Sequence, residues 1–116
     1  MTARITLGNL TVDRSRYMVW IDGNPVELTY VEFELLYVLA RSSQRVMARE
    51  TIVQAVWGEE PRDHARKLTV HVSRLRKKLR ASRPYNIRTI PKRGYSLADQ
   101  GHASRPPSLN NRLTRP

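Results

Sequence analysis

The chain has no cysteine. That excludes disulfides and any thiolate-held zinc site, and it suits a reducing compartment. Long apolar runs are missing as well. Even the longest stretch, Leu35 to Ala40, and the shorter one around Val19 to Ile21 fall far short of the ~20 residues needed to span a bilayer. Polar residues interrupt the N-terminal MTARITLGNL throughout, so a secretory signal is not expected there. Cytoplasmic residence with no membrane partner is therefore the expectation. There is no glycine-rich phosphate loop and no internal repeat. His64, His71 and His102 are too scattered for a metal site, and no base is placed beside a nucleophile. Enzyme activity, metals and other cofactors are not expected.

The most telling absence is of acid. Between Arg66 and Gly94 lie 11 Lys and Arg residues and no Asp or Glu. The whole chain of 116 residues holds 21 basic and 10 acidic ones, so the part outside that stretch is balanced, 10 against 10. A neutral body thus carries one cationic edge, the electrostatic footprint of a nucleic-acid binder. With 40 % hydrophobic residues, this length suits one domain around one modest core.

Ile5 and Leu7 alternate with Arg4 and Thr6, Leu10 and Val12 repeat the pattern, and Tyr17 to Ile21 is rich in β-branched and aromatic residues. Asp22-Gly23-Asn24-Pro25 marks a turn, after which Val26 to Leu28 resumes a strand. A small antiparallel sheet is predicted. Thr29-Tyr30-Val31-Glu32 has the form of a capping box, a hydroxyl followed three residues on by a carboxylate. It opens a helix whose apolar face holds Phe33, Leu36, Tyr37 and Ala40, widened by Leu35 and Leu39. A second helix spans about Arg49 to Trp57, with Ile52, Val53, Val56 and Trp57 as its apolar stripe and Gly58 as its stop. A polar loop, Glu59-Glu60-Pro61-Arg62-Asp63, leads to a third helix from His64 or Ala65 to Arg80. Strands Tyr85 to Ile90 and Tyr95 to Ala98 follow, joined by Pro91-Lys92-Arg93-Gly94, where Gly94 supplies the backbone freedom for a tight turn. Residues 1–98 are read as the domain. Residues 99–116, mostly Pro, Ser, Asn and Arg, are read as a disordered basic tail.

At 100° per residue, Leu68, Val72, Leu75 and Leu79 of the third helix fall within about 60° of one another and form a core face. The opposite face carries Arg66, Val70, Ser73, Arg74 and Lys77, with Arg76, Lys78 and Arg80 on the flanks. Val70 is stranded among cations. A small branched side chain there suits packing on a thymine methyl in a major groove, and Arg74, one turn on, suits guanine O6 and N7. The alternative is an incidental surface valine. A basic amphipathic helix alone also fits a membrane surface or an acidic partner. A preceding helix with a short loop, and a following hairpin with the basic tip Lys92-Arg93, favour a helix-turn-helix arrangement.

Four stretches carry a family resemblance: LTYVEFELLYVLA (Leu28 to Ala40), VMARETIVQAVWG (Val46 to Gly58), LTVHVSRLRKKL (Leu68 to Leu79) and IRTIPKRGYSL (Ile87 to Leu97). In this order and spacing the chain resembles the winged-helix effector domain of OmpR/PhoB-type response regulators of two-component systems, over roughly Ile5 to Ala98. The resemblance implies an α+β winged helix-turn-helix with a four-stranded N-terminal antiparallel sheet, three helices and a C-terminal β-hairpin wing. It implies a third helix in the major groove and a wing, with Lys92 and Arg93, near the minor groove or backbone. Thr69, Val70 and Arg74 match family base readers. Arg66, Lys67, His71, Ser73, Arg76 and Lys77 match backbone contacts. Gly58 to His64 corresponds to a segment that touches RNA polymerase in activators, so Glu59 and Glu60 are candidates for that contact, the alternative being an ordinary solvated loop. Weak self-association on tandem DNA sites is also implied.

Three departures bear on those expectations. Thr69 stands where the family often has Asp, so base preference does not carry over. Pro91 stands where the wing usually has a minor-groove arginine. No receiver domain with a phosphoacceptor constellation can be assigned ahead of Ile5, so the chain is expected to be either a freestanding effector domain or a fragment of a longer regulator. Sequence-specific binding of double-stranded DNA in transcription regulation is the leading reading. Sequence-indifferent architectural DNA binding or RNA binding is the rival, set against a groove-facing Val70 and Arg74 that RNA's deep major groove does not admit.

Overall fold

The computed structural model describes residues 3–58 and 64–100. Four short strands come first: β1 (Arg4–Leu7), β2 (Leu10–Asp13), β3 (Met18–Ile21) and β4 (Asn24–Pro25). They form one antiparallel sheet in sequential order. Leu10 sits opposite both Leu7 and Ile21, and Val12 opposite both Ile5 and Val19. The period-two alternation therefore gathers one apolar face, with Leu10 and Val12 fully buried.

The fourth strand is shorter and earlier than the pattern Val26 to Leu28 suggested. Asn24 and Pro25 pair with Ile21 and Trp20, and Val26 adds a single N–H bond to the Val19 carbonyl at 2.8 Å. Pro25 has no N–H for the ladder. The chain then leaves the sheet to bring Thr29 to the start of the first helix, while Val26 and Leu28 pack on the core from outside it.

Helix α1 (Tyr30–Arg41) begins with the predicted capping box. The Glu32 N–H donates to Thr29 Oγ1 at 3.2 Å and the Thr29 N–H donates to Glu32 Oε1 at 2.9 Å, satisfying two backbone donors that no helical carbonyl reaches. Helix α2 (Arg49–Trp57) ends on Gly58 in the left-handed conformation at φ 69°. Helix α3 (Ala65–Lys78) stops two residues short of the predicted Arg80. The Ser82 N–H and the Asn86 Nδ2 both donate to the Leu79 carbonyl, at 2.8 and 3.0 Å, which closes the helix end and turns the chain.

Strands β5 (Tyr85–Ile90) and β6 (Gly94–Asp99) form the C-terminal hairpin. Asp99, placed in the tail by its composition, instead closes β6 opposite Tyr85. The segment after α1 lies along the other edge of β6. Gln44 N donates to Leu97 O at 2.8 Å, and Met47 and Tyr95 exchange N–H bonds at 2.8 and 3.0 Å. This close approach, more than the turn alone, explains Gly94. Its φ is 140°, and a Cβ there would lie 1.9 Å from the Met47 carbonyl oxygen. One apolar core joins the sheet, all three helices and the hairpin through Leu10, Leu36, Ile52, Leu75 and Leu97.

Candidate nucleic-acid interface

The interface is built on α3. Leu68, Leu75 and Leu79 are completely buried and Val72 nearly so, which fixes the roll of the helix about its axis. That roll exposes Arg66, Lys67, Thr69, Val70, Ser73, Arg74 and Lys77. Val70 is 39 % exposed, a rare large apolar side chain left on the surface of this molecule. The helix is about 21 Å long, enough to lie along a major groove.

Three side contacts hold α3 in place. On the hairpin side, Arg76 donates from Nε to the Ile87 carbonyl at 3.2 Å and from a terminal nitrogen to Thr89 Oγ1 at 2.8 Å. On the α2 side, the Trp57 ring packs at a tilt against His64 at 5.0 Å and meets the edge of His71 at 5.8 Å. Toward α1, Lys78 Nζ sits 2.7 Å from Glu32 Oε1. Burial pushes the Glu32 carboxyl up, but the Lys78 ammonium and the Thr29 N–H outweigh it and hold the group below the usual carboxylate value.

These contacts refine the roles assigned from sequence. Arg76, taken as a phosphate contact, is half-buried and already braces the hairpin. His71 Nδ1 lies 2.8 Å from the Lys67 carbonyl, an acceptor, so Nδ1 carries a proton and is committed within the helix. Thr69 Oγ1 donates to the Ala65 carbonyl at 3.3 Å, leaving its lone pairs as the outward-facing function. Lys92 and Arg93 stand exposed at the hairpin tip, with Lys92 in the left-handed region at φ 65°. Glu59 and Glu60 lie outside the described residues.

Asn9 is structurally important and was not singled out from sequence. Its Nδ2 donates to Asp22 Oδ2 and to the Ala81 carbonyl, each at 3.1 Å, and its Oδ1 accepts from the Arg83 N–H at 2.6 Å. It therefore ties the sheet to the turn after α3. A Gly-Asn pair between two strands signals a turn, but nothing in the sequence signals its long-range partner.

Charge is distributed unevenly. Among the described residues, the carboxylates of Asp13, Glu32 and Glu34 are paired, with Arg4 and Arg16, Lys78, and Arg14 respectively. The exposed cations of α3, Arg66, Lys67, Arg74 and Lys77, have no such partner.

The family described as "Transcriptional regulatory protein, C terminal" matches residues 23–97. The chain belongs to this family of OmpR/PhoB-type effector domains. The effector domain is 36 % identical over 92 residues to the sensory transduction protein RegX3 of Mycolicibacterium smegmatis, covering 78 % of this chain and 40 % of RegX3. It thus spans about two fifths of the length of that relative. In three dimensions it resembles the Klebsiella pneumoniae RstA DNA-binding domain, solved in complex with the RstA box, with a TM-score of 0.74 and 33 % identity over 82 % of this chain and 96 % of that one. The DNA-binding domain of CpxR from E. coli gives a TM-score of 0.73 and 34 % identity, covering 84 % and 97 %. The four-stranded sheet, three helices and C-terminal hairpin expected from the resemblance are all present. The matched family is one of regulators rather than of enzymes.

Proposed function

We propose that this effector domain binds a short half-site in double-stranded DNA by sequence and regulates transcription from it. The observation that carries the reading is the outward face of α3: cations that, among the described residues, have no acidic partner surround an exposed valine on a helix whose roll is fixed by its buried leucines. Arg66, Lys67, Ser73 and Lys77 hold phosphates and set the register, and Val70, Arg74 and Thr69 read bases. Val70 packs on a thymine methyl. Arg74 bonds guanine O6 and N7. Thr69, with its hydroxyl proton directed to Ala65, accepts from an exocyclic amine of cytosine or adenine. Lys92 and Arg93 bring the wing to the adjacent backbone. Likeness to a domain solved on its DNA box supports this assignment.

One helical turn from Val70 to Arg74 is about 6 Å, or roughly two base-pair steps of 3.4 Å. Selection of bound duplexes from a random pool tests the reading. A motif with a thymine and a guanine about two steps apart is the expected outcome, and no enrichment leaves the architectural reading in its place. Two further parts belong to the same proposal. The domain is a monomer that pairs on tandem sites, so a stable dimer by sedimentation without DNA contradicts it. Glu59 and Glu60 meet RNA polymerase, so replacing both with alanine lowers transcription without changing duplex affinity.

A further inference from the structure

We propose that the end of α3 and the turn after it form a second phosphate grip, in which Arg80 and Arg83 join Arg76 to hold a DNA backbone phosphate beyond the bases that α3 reads. This rests on the proposed seating of α3 in a duplex. An open cleft of about 480 Å³ lies there, walled by the three arginines together with Ser82, Asn86 and Gln100, and among the described residues no carboxylate lines it. The neutral polar groups are already committed. Asn86 donates to the Leu79 carbonyl at 3.0 Å and accepts from the Ile87 N–H at 2.8 Å, Ser82 Oγ donates to the Tyr85 carbonyl at 2.6 Å, and Gln100 donates to the Ala98 carbonyl at 3.3 Å. What remains without a partner is cationic. Among the described residues, neither the Arg80 nor the Arg83 guanidinium takes part in a hydrogen bond or ion pair.

The cleft is also pre-organised. Arg76 is fixed to β5 by its two hydrogen bonds. The Arg83 backbone is held from both directions by Asn9, its N–H donating to Asn9 Oδ1 at 2.6 Å and its carbonyl accepting from the Asn9 N–H at 2.8 Å. Gly8 packs so close that a Cβ would lie 2.2 Å from the Arg83 oxygen. Planar guanidinium forks on fixed backbones suit a phosphate.

Position selects the occupant. Thr69, Ser73 and Arg76 are spaced four and three residues apart, so they share one stripe along the hairpin side of α3, and Arg80 lies in the turn directly after the helix. The stripe leads from the base-reading end of the helix to the cleft. A duplex seated between α3 and the hairpin runs one backbone along this stripe, which makes the occupant a phosphodiester rather than a free anion or a carboxylate of a second copy.

The test compares the wild type with the double variant Arg80→Gln, Arg83→Gln, whose melting temperature should be unchanged because both side chains are exposed and unpartnered. Affinities for the selected and a random duplex are measured from about 50 to about 200 mM salt. The variant should bind both duplexes more weakly by the same factor. Its log–log salt slope should be smaller in magnitude by about 0.9, so the deficit shrinks about 3.5-fold across that range. An unchanged slope overturns the proposal. If it comes with lost pairing on tandem sites, the cleft belongs to a second copy. If it comes with saturable chemical-shift changes at Arg80 and Arg83 on adding pyrophosphate, the cleft takes a free anion. A selective loss on the chosen duplex makes the arginines base readers and likewise overturns it. Failure of the wild type to prefer the selected duplex is a separate result. It removes the sequence-specific reading and leaves the grip standing if the slope still changes.

Discussion

The first half of the molecule and α3 use charge in opposite ways. Around the sheet and α1, three buried carboxylates are paired: Asp13 with Arg4 and Arg16, Glu34 with Arg14, Glu32 with Lys78. Along the outer face of α3, cations project into solvent and, among the described residues, form no ion pair. Surface pairs contribute little to stability, so an unpaired row of cations costs the fold little. It raises local positive potential where a polyanion is to land. Lys78 marks the boundary between the two regimes, the one cation of α3 that is drawn inward to a buried acid. The difference makes a general expectation: substitutions in the scaffold change melting without DNA, and substitutions on the outer face change duplex binding without altering melting.

The largest effects should come where the scaffold grips the interface. Gly94→Ala places a methyl against the Met47 backbone at a φ that side chains rarely adopt. It should destabilise the fold by about 3–5 kcal/mol in denaturant titration. Leu75→Ala leaves a cavity behind α3 and should cost about 2–5 kcal/mol. If either variant melts normally yet loses DNA binding, the division between scaffold and interface is wrong.

Smaller effects belong to the outer face. Arg74→Ala should weaken the selected duplex by about 1–3 kcal/mol and relax choice at one base. Lys77→Ala should weaken every duplex alike. Equal losses on all sequences for Arg74→Ala remove its role as a reader.

At the boundary, Glu32→Gln should cost about 1–2 kcal/mol, a modest figure because Lys78 is partly solvated and free to hydrate. The folded Glu32 carboxyl is held below its usual value. Its contribution is therefore present above the unfolded value and lost as pH falls through the folded one. The wild type should lose stability in that acid range faster than the variant. The smallest effect is at His71. Its Nδ1 is engaged by the Lys67 carbonyl and its ring meets Trp57, so His71→Gln should change duplex affinity by no more than about 0.5 kcal/mol.

Much of this was legible in the sequence because it rests on local periodicity. The Thr29–Glu32 box, the leucine face of α3 and the stranded Val70 follow from spacing alone, and the structure places them as read. Features decided by distant partners were not legible. The brief β4, the bracing of Arg76 against Thr89 and the inward turn of Lys78 to Glu32 depend on segments far apart in the chain. Asn9 looks like any turn residue until Arg83 is brought beside it. Gly94 was recognised for its turn, but the neighbouring Met47 backbone that forbids a side chain there belongs to a segment no local pattern connects to the wing.

The salt dependence of duplex affinity tests the central claim most directly, since the outer face of α3 is held to be cationic for the sake of phosphates. With five or six phosphates neutralised, log affinity should fall against log salt with a slope near −5. A flat response would contradict the account, because a helix that binds DNA without releasing counterions is not using the face described above.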